Sequence, residues 1–243
     1  MTRQLEITGL TKRFGGLLAL NAIDMSVDSG EMLGLIGPNG SGKTTLLNII
    51  SGYYEADAGT LAFEGRQILG EPPHELARRG IGRSFQVTKV FRRLTVLDNM
   101  LVAGLSERRT AWAEALDRAH AILRDLKLDA LAGARASSLS GGQSKLLEFA
   151  RIMMLSPRLV LLDEPFGGVH PELKEFMHER VRAWNDIGIT IILISHDMGS
   201  IFGLCRRVVT LSYGGIICDG TPEETRNDPA VLEAYLGHTH DAA

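Results

Sequence analysis

The run Gly37-Pro38-Asn39-Gly40-Ser41-Gly42-Lys43-Thr44 limits what this chain of 243 residues can fold into more than any other feature. It fits the pattern G-x-x-x-x-G-K-[ST]. Apolar Met32-Leu33-Gly34-Leu35-Ile36 precedes it, and Thr45-Leu46-Leu47-Asn48-Ile49-Ile50 follows. The first flank reads as a buried strand and the second as the opening turns of a helix, which is the setting the pattern requires. Glycines let the backbone curl until several N–H groups face one anion, and a helix N-terminus adds partial positive charge at the same spot. Lys43 can reach the terminal phosphates of a nucleoside triphosphate, and the Thr44 hydroxyl can hold Mg²⁺.

The remaining pattern indicates an α/β fold with a mostly parallel sheet. Residues 31–36, 81–85, 158–162, 189–194 and 206–212 are short apolar-rich runs separated by helical patterns, as in a parallel sheet covered by helices. Residues 4–8 and 22–27 alternate apolar and polar, and turn signals at Asp57-Ala58-Gly59 and Glu64-Gly65 bracket a short strand over 60–63. These suit an N-terminal antiparallel β layer within about residues 1–70. From 88 to 155 the pattern is helical, with Ala, Leu, Arg and Glu at helical spacing from Ala111 to Leu128, so this stretch reads as a helical subdomain inserted in the sheet domain. The whole chain, 1–243, reads as one such unit, with a polar tail from His238 to Ala243.

Apolar residues make up 44%, enough for a substantial core, and a net charge of −3 gives no general pull toward nucleic acid. Cys205 and Cys218 lack metal-type spacing and read as reduced core thiols of a cytosolic protein. The opening residues lack an apolar stretch, and no segment approaches about 18 uninterrupted apolar residues, so any membrane pore is expected in another chain.

A second motif narrows the class. Leu139-Ser140-Gly141-Gly142-Gln143 precedes a helical pattern, and apolar Leu159-Val160-Leu161-Leu162 ends in Asp163-Glu164. Taken alone, Ser140 is a helix N-cap and the glycines a turn. Taken with the phosphate loop, the chain resembles the ATP-binding subunits of ABC transporters over nearly its whole length, with the motifs in that family's order. The resemblance implies a P-loop NTPase core and assigns roles residue by residue. Phe14 is similar to the aromatic that stacks on adenine. Gly37, Asn39, Gly40, Ser41, Gly42, Lys43, Thr44 and Thr45 would hold the ATP phosphates. Gln86 resembles the glutamine of the Q-loop, and Thr44, Gln86 and Asp163 would place Mg²⁺. Glu164 would act as general base on the attacking water, and His196 would contact the γ phosphate.

No local Arg stands where it would stabilise the transferring phosphoryl group. In the family a facing subunit supplies those donors, which assigns Ser140, Gly141, Gly142 and Gln143 to nucleotide held by a partner. In Phe166-Gly167-Gly168-Val169-His170-Pro171, His170 stands where the family most often has aspartate.

The segment Arg78 to Arg93 carries Arg78, Arg79, Arg83, Lys89, Arg92 and Arg93 and no acid. It reads as a solvated face, a nucleic-acid patch, or a surface near anionic headgroups beside a membrane subunit. The last agrees with the resemblance, in which this stretch receives the permease's coupling helix. Residues 73–86, Phe91 to Asn99 and Ala234-Tyr235-Leu236-Gly237 are similar to the importer branch for branched-chain amino acids. That branch implies integral-membrane permeases, a second ATPase subunit, indirectly a periplasmic binding protein, and a peripheral place on the cytoplasmic face of the inner membrane. Other ABC systems, for urea or amide uptake or lipopolysaccharide export, are close alternatives. A soluble ABC ATPase acting on nucleic acid or ribosomes fits less well, because this chain has one set of motifs and no sustained heptads.

Overall fold

A computed structural model describes residues 2–86, 88–105 and 111–236. In chain order its strands and helices are β1 (Arg3–Phe14), β2 (Leu17–Asp28), β3 (Met32–Ile36), α1 (Lys43–Ile50), β4 (Ala58–Phe63), β5 (Arg66–Gln67), α2 (Pro73–Arg78) and β6 (Ile81–Arg83). Then come α3 (Val96–Gly104), α4 (Trp112–Asp125), α5 (Gly141–Met154), β7 (Leu159–Asp163), α6 (Pro171–Asp186) and β8 (Thr190–Ile194). The chain closes with α7 (Met198–Leu204), β9 (Arg207–Ser212), β10 (Gly215–Gly220), α8 (Pro222–Asn227) and α9 (Pro229–Leu236).

The strands form two sheets. One has the order β2-β1-β4-β5 and is antiparallel; the other has the order β10-β9-β3-β8-β7-β6. In the second sheet β6, β7, β8, β3 and β9 run parallel, and β10 closes the edge antiparallel to β9. The three middle strands β3, β7 and β8 are buried along their whole length. Their side chains alternate between two cores, as a pleated sheet covered on both faces demands. Val160, Leu162, Ile191 and Leu193 face a cluster shared with α3 to α7, including Phe149, Met177 and Trp184. Leu161, Ile192, Leu33 and Leu35 face a second cluster made with α1 and the antiparallel sheet, including Leu5, Leu20, Leu46 and Ile50.

The sheet positions expected from the sequence hold, with differences at the edges. β1 and β2 run well beyond residues 4–8 and 22–27, because register shifts near Gly9 and Thr11 break the simple alternation. β6 stops at Arg83; Ser84 N still donates to Leu161 O at 2.9 Å before the chain leaves the sheet. β10, α8 and α9 occupy a stretch with no clear period in the sequence. Cys205 is in the core, but Cys218 on β10 is half-buried, so it is not the core thiol its residue type suggested. Among the described residues of 88–155, the regular elements are helical: α3, α4, α5 and two 3₁₀ turns. The tail from His238, with Gly237, lies outside the described residues. Among the described residues no helix is long and apolar enough to cross a membrane.

One buried charge breaks the apolar logic of the core. Glu148 on α5 is 7% exposed, and burial pushes its carboxyl up to about 7 from an ordinary 4.5. A raised carboxyl binds its proton more tightly in the folded state, so its contribution is complete below the unfolded value and is lost as pH rises through the folded one. Glu148→Gln is therefore expected to be more stable than the parent by about 3 kcal/mol near pH 8, with the gain fading toward pH 5. Urea unfolding at the two pH values checks this, and a pH-independent difference would contradict it.

Candidate functional site

In a parallel sheet the loops after the strands all open on one edge, which is where α/β folds gather ligand-binding groups. Here that edge collects the loop after β3, Gln86 after β6, Asp163 and Glu164 at the end of β7, and Ser195-His196 after β8. With Phe14, Leu17 and Ala19 from the antiparallel sheet, they line a single cleft. Phe14, Gly37, Asn39, Gly40, Ser41, Gly42, Lys43, Thr44, Thr45, Gln86, Asp163, Glu164 and His196 are thus brought together. Ser140, Gly141, Gly142 and Gln143 do not line this cleft. They form the N-terminus of α5, where Ser140 Oγ accepts from Gln143 N at 3.2 Å and Gln143 Oε1 accepts from Ser140 N at 2.9 Å.

The loop conformation explains two of its glycines. Gly37 has φ 143°, and a Cβ there would stand 2.1 Å from Leu211 O; Gly42 has φ 108°, and its Cβ would stand 2.6 Å from Ala19 O. Neither position admits a side chain without displacing backbone. Lys43 Nζ curls onto its own loop, donating to Gly37 O at 2.7 Å and Pro38 O at 2.9 Å. Burial pulls its ammonium below the ordinary lysine value, with Glu164 and Asp163 opposing that shift. It is a desolvated cation held by neutral carbonyls, ready to exchange them for phosphate oxygens.

The acidic side of the cleft is built by cross-strand bonds. Asp163 N donates to Ser84 Oγ at 3.0 Å, and Glu164 N donates to Ile194 O at 2.9 Å. The second bond holds Glu164 with φ 50°, a left-handed conformation costing a non-glycine residue on the order of 1 kcal/mol. It brings Glu164 Oε2 within 2.9 Å of His196 Nδ1, although that contact lacks the alignment of a hydrogen bond. His196 is largely exposed and Glu164 largely shielded. The His196 turn is itself anchored: Asp197 caps α7 through Gly199 N and Ser200 N and pairs with Lys174, which holds its carboxyl down near 2.

Arg83, from the basic segment, is buried behind the cleft. Its Nη2 lies 3.7 Å from Asp163 Oδ2, while Nη1 donates to Asn48 Oδ1 at 2.7 Å and Ser51 Oγ at 2.6 Å. Burial pushes the Asp163 carboxyl up, and Arg83 is the main influence holding it down. The basic run is therefore no continuous surface: Arg83 is internal, Arg79 makes two bonds to Glu71, and Arg78 pairs with Glu75 at 2.7 Å. Arg83 does not line the cleft itself.

Phe14 ends β1 where a Gly15-Gly16 turn reverses the chain; it is 42% exposed and meets Tyr54 edge-on at 5.3 Å. Sequence reasoning assigned no role to Tyr235 on α9. Its hydroxyl accepts from Gly37 N at 2.8 Å, tying the last helix to the first residue of the phosphate loop. No spacing rule would have found it, since the partners are 198 residues apart. The oxygen donors at the acidic edge, Thr44, Gln86 and one carboxylate from Asp163, suit Mg²⁺, a hard cation that takes its remaining ligands from phosphates and water.

Comparison with known proteins agrees with this geometry. The ABC transporter family model matches residues 20–167, more than half of the chain, and the model described as branched-chain amino acid ATP-binding cassette transporter matches residues 216–241. The probable branched-chain amino acid transport ATP-binding protein LivG of Archaeoglobus fulgidus is 41% identical over 96% of this chain and 95% of its own length. The high-affinity branched-chain amino acid transport ATP-binding protein BraF of Pseudomonas aeruginosa is 37% identical over 96% and 97%. The crystal structure of the ADP conformation of MJ1267, an ATP-binding cassette of an ABC transporter, superposes with a TM-score of 0.88 at 34% identity, covering 98% of this chain and 100% of that one. With an α/β architecture shared end to end and a phosphate loop facing Asp163-Glu164 and His196, the chain belongs to the ABC transporter family as one of its ATP-binding cassettes.

Proposed function

We propose that this cassette hydrolyses ATP to drive an ABC importer of branched-chain or related amino acids. The observation that carries the chemistry is the meeting of Lys43, Asp163, Glu164 and His196 at one sheet edge. What favours this importer branch is the matching C-terminal segment, whose Tyr235 reaches the phosphate loop.

In this reading Phe14 offers a ring face to adenine, an interaction that selects a flat base without reading its edges. Amides of residues 37–45 and Lys43 hold the β and γ phosphates. Thr44, Asp163 and Gln86 would hold Mg²⁺, which when bound neutralises phosphate charge. Glu164, kept in place by Ile194 O, orients the attacking water and takes its proton. His196 closes the cleft over the γ phosphate. Residues 140–143, standing outside this cleft, serve the nucleotide of a facing cassette: the α5 N-terminus and the Ser140 hydroxyl are anion donors presented outward. Two chains, or this one and a sibling ATPase, then close face to face.

The permease seat would be the groove beside Gln86, where Tyr53, Phe85, Val90, Phe91 and Ile152 supply apolar surface and Lys89 and Arg151 supply charge. The cassette would then lie peripherally on the cytoplasmic face of the inner membrane, coupled only through its permeases to a periplasmic binding protein. Deleting the gene is expected to abolish energised uptake of leucine, isoleucine and valine. Unchanged uptake of all three with loss of urea or amide uptake would reassign the cargo.

Two substitutions probe the chemistry in the purified chain. Glu164→Gln is expected to bind MgATP as the parent does while turnover drops about 100-fold or more, as for loss of a general base; undiminished turnover would remove the assignment. Phe14→Ala is expected to raise KM for ATP about 10-fold with kcat little changed, equivalent to losing about 1.4 kcal/mol of binding shared by ground and transition states. An unchanged KM would place Phe14 outside the adenine site.

A further inference from the structure

Helix α5 carries three charged side chains spaced three residues apart, Lys145, Glu148 and Arg151. At 3.6 residues per turn they follow one slowly winding stripe. Each is partly or wholly withdrawn from water, and each is engaged by main-chain atoms of another segment. Lys145 Nζ donates to Pro165 O at 3.2 Å and also to Gly167 O. Glu148 Oε1 accepts from Phe85 N at 3.1 Å, and the carboxylate draws a second main-chain donor from Lys89. Arg151 Nη1 donates to Lys89 O. Glu148 and Arg151 thus grip both polar groups of the Lys89 peptide units.

The gripped segments are those that carry the proposed site. Gln86 lies between Phe85 and Lys89, Glu164 immediately precedes Pro165, and α5 itself begins at Ser140. The ends of the Gln86 segment are fixed separately. Ser84 accepts from Asp163 N, and Asn99 on α3 both accepts from Phe91 N at 2.8 Å and donates to Phe91 O at 3.1 Å. Between those anchors, among the described residues, the hydrogen bonds from other segments to the main chain at Phe85 and Lys89 come from the α5 stripe.

We propose that Glu148 is a positioning residue for hydrolysis: with Arg151 it clamps the main chain at Phe85 and Lys89 to α5, setting the arch from which Gln86 reaches the cleft, while Lys145 ties the turn after Glu164 to the same helix. The inference rests on the reading of Gln86 and Glu164 given above. An apolar side chain of the same length would fill this place without the burial penalty that lifts the Glu148 carboxyl. A costly polar group retained in a core is explained when it fixes a functional segment. The charged groups around it are Lys145 and Arg151 on its own helix and Arg83 and Lys89 across the groove, all cationic, so the carboxylate is matched to its surroundings as well as to the amides.

The test uses the full-length chain with Glu148→Met, which keeps length and apolar packing, and Glu148→Gln, which keeps an acceptor. Hydrogen exchange is read at the amides of Phe85 and Lys89, and steady-state ATP hydrolysis alongside it. In Glu148→Met both amides are expected to exchange about 10-fold faster or more, with kcat down about 10-fold and KM for MgATP within about twofold. Glu148→Gln is expected to restore most of the protection and most of kcat. Parent-like exchange in Glu148→Met would overturn the clamp. Faster exchange with parent-like kcat, where Gln86→Ala does lower kcat, would overturn the positioning role. If Gln86→Ala leaves kcat unchanged, the assignment of Gln86 fails, while the exchange rates still decide the clamp.

Discussion

Parallel pairing of β7 with β8, and of β8 with β3, is the constraint from which the cleft follows. The pairing places Asp163 beside Ile194 and carries the next peptide, Glu164 N to Ile194 O, past the end of both strands. A slip of one residue would reverse which side chains face each core and would turn the Asp163 carboxylate away from the phosphate loop. The apolar side chains of these strands make that slip prohibitive, because every residue of β3, β7 and β8 is buried and the apolar ones from Met32, Leu159 and Ile191 onward are divided between two clusters. Hydrophobic burial, which knows nothing of nucleotides, thereby fixes the separation between Lys43 and Glu164.

Around that frame the cleft holds its charges in a poised state. Lys43 is bonded to carbonyls of its own loop, Asp163 has Arg83 behind it, and Glu164 is close to His196 without being locked to it. None of the three is neutralised by a tight partner inside the cleft. An incoming triphosphate therefore replaces weak contacts without having to break a strong ion pair, which keeps binding energy available for the transition state.

Much of this was legible in the residues because the motifs are local. A loop of three glycines, a lysine and a threonine between an apolar strand and a helix states its own structure, and an apolar run ending in Asp-Glu states where a carboxylate leaves a sheet. What escaped was long-range or irregular. The bulges near Gly9 and Thr11 hide most of β1 and β2 behind broken alternation. Arg83 looks like one member of a basic surface until the fold buries it beneath Tyr53 and Phe85. Glu148 reads as an ordinary polar residue of an amphipathic helix, and nothing in its neighbours says that its partner is an amide 63 residues away. Composition and period describe an element's own faces; they are silent about which other segment meets those faces.

The bond from Gly37 N to Tyr235 bears on how the molecule is made. A chain emerging from the ribosome has its glycine cradle early, but this amide waits for an acceptor 198 residues downstream. Until α9 has docked, this amide of the cradle lacks its hydroxyl partner. Docking of α9 thus becomes a late step in finishing the cradle, because its hydroxyl acceptor lies far along the chain from the loop it serves.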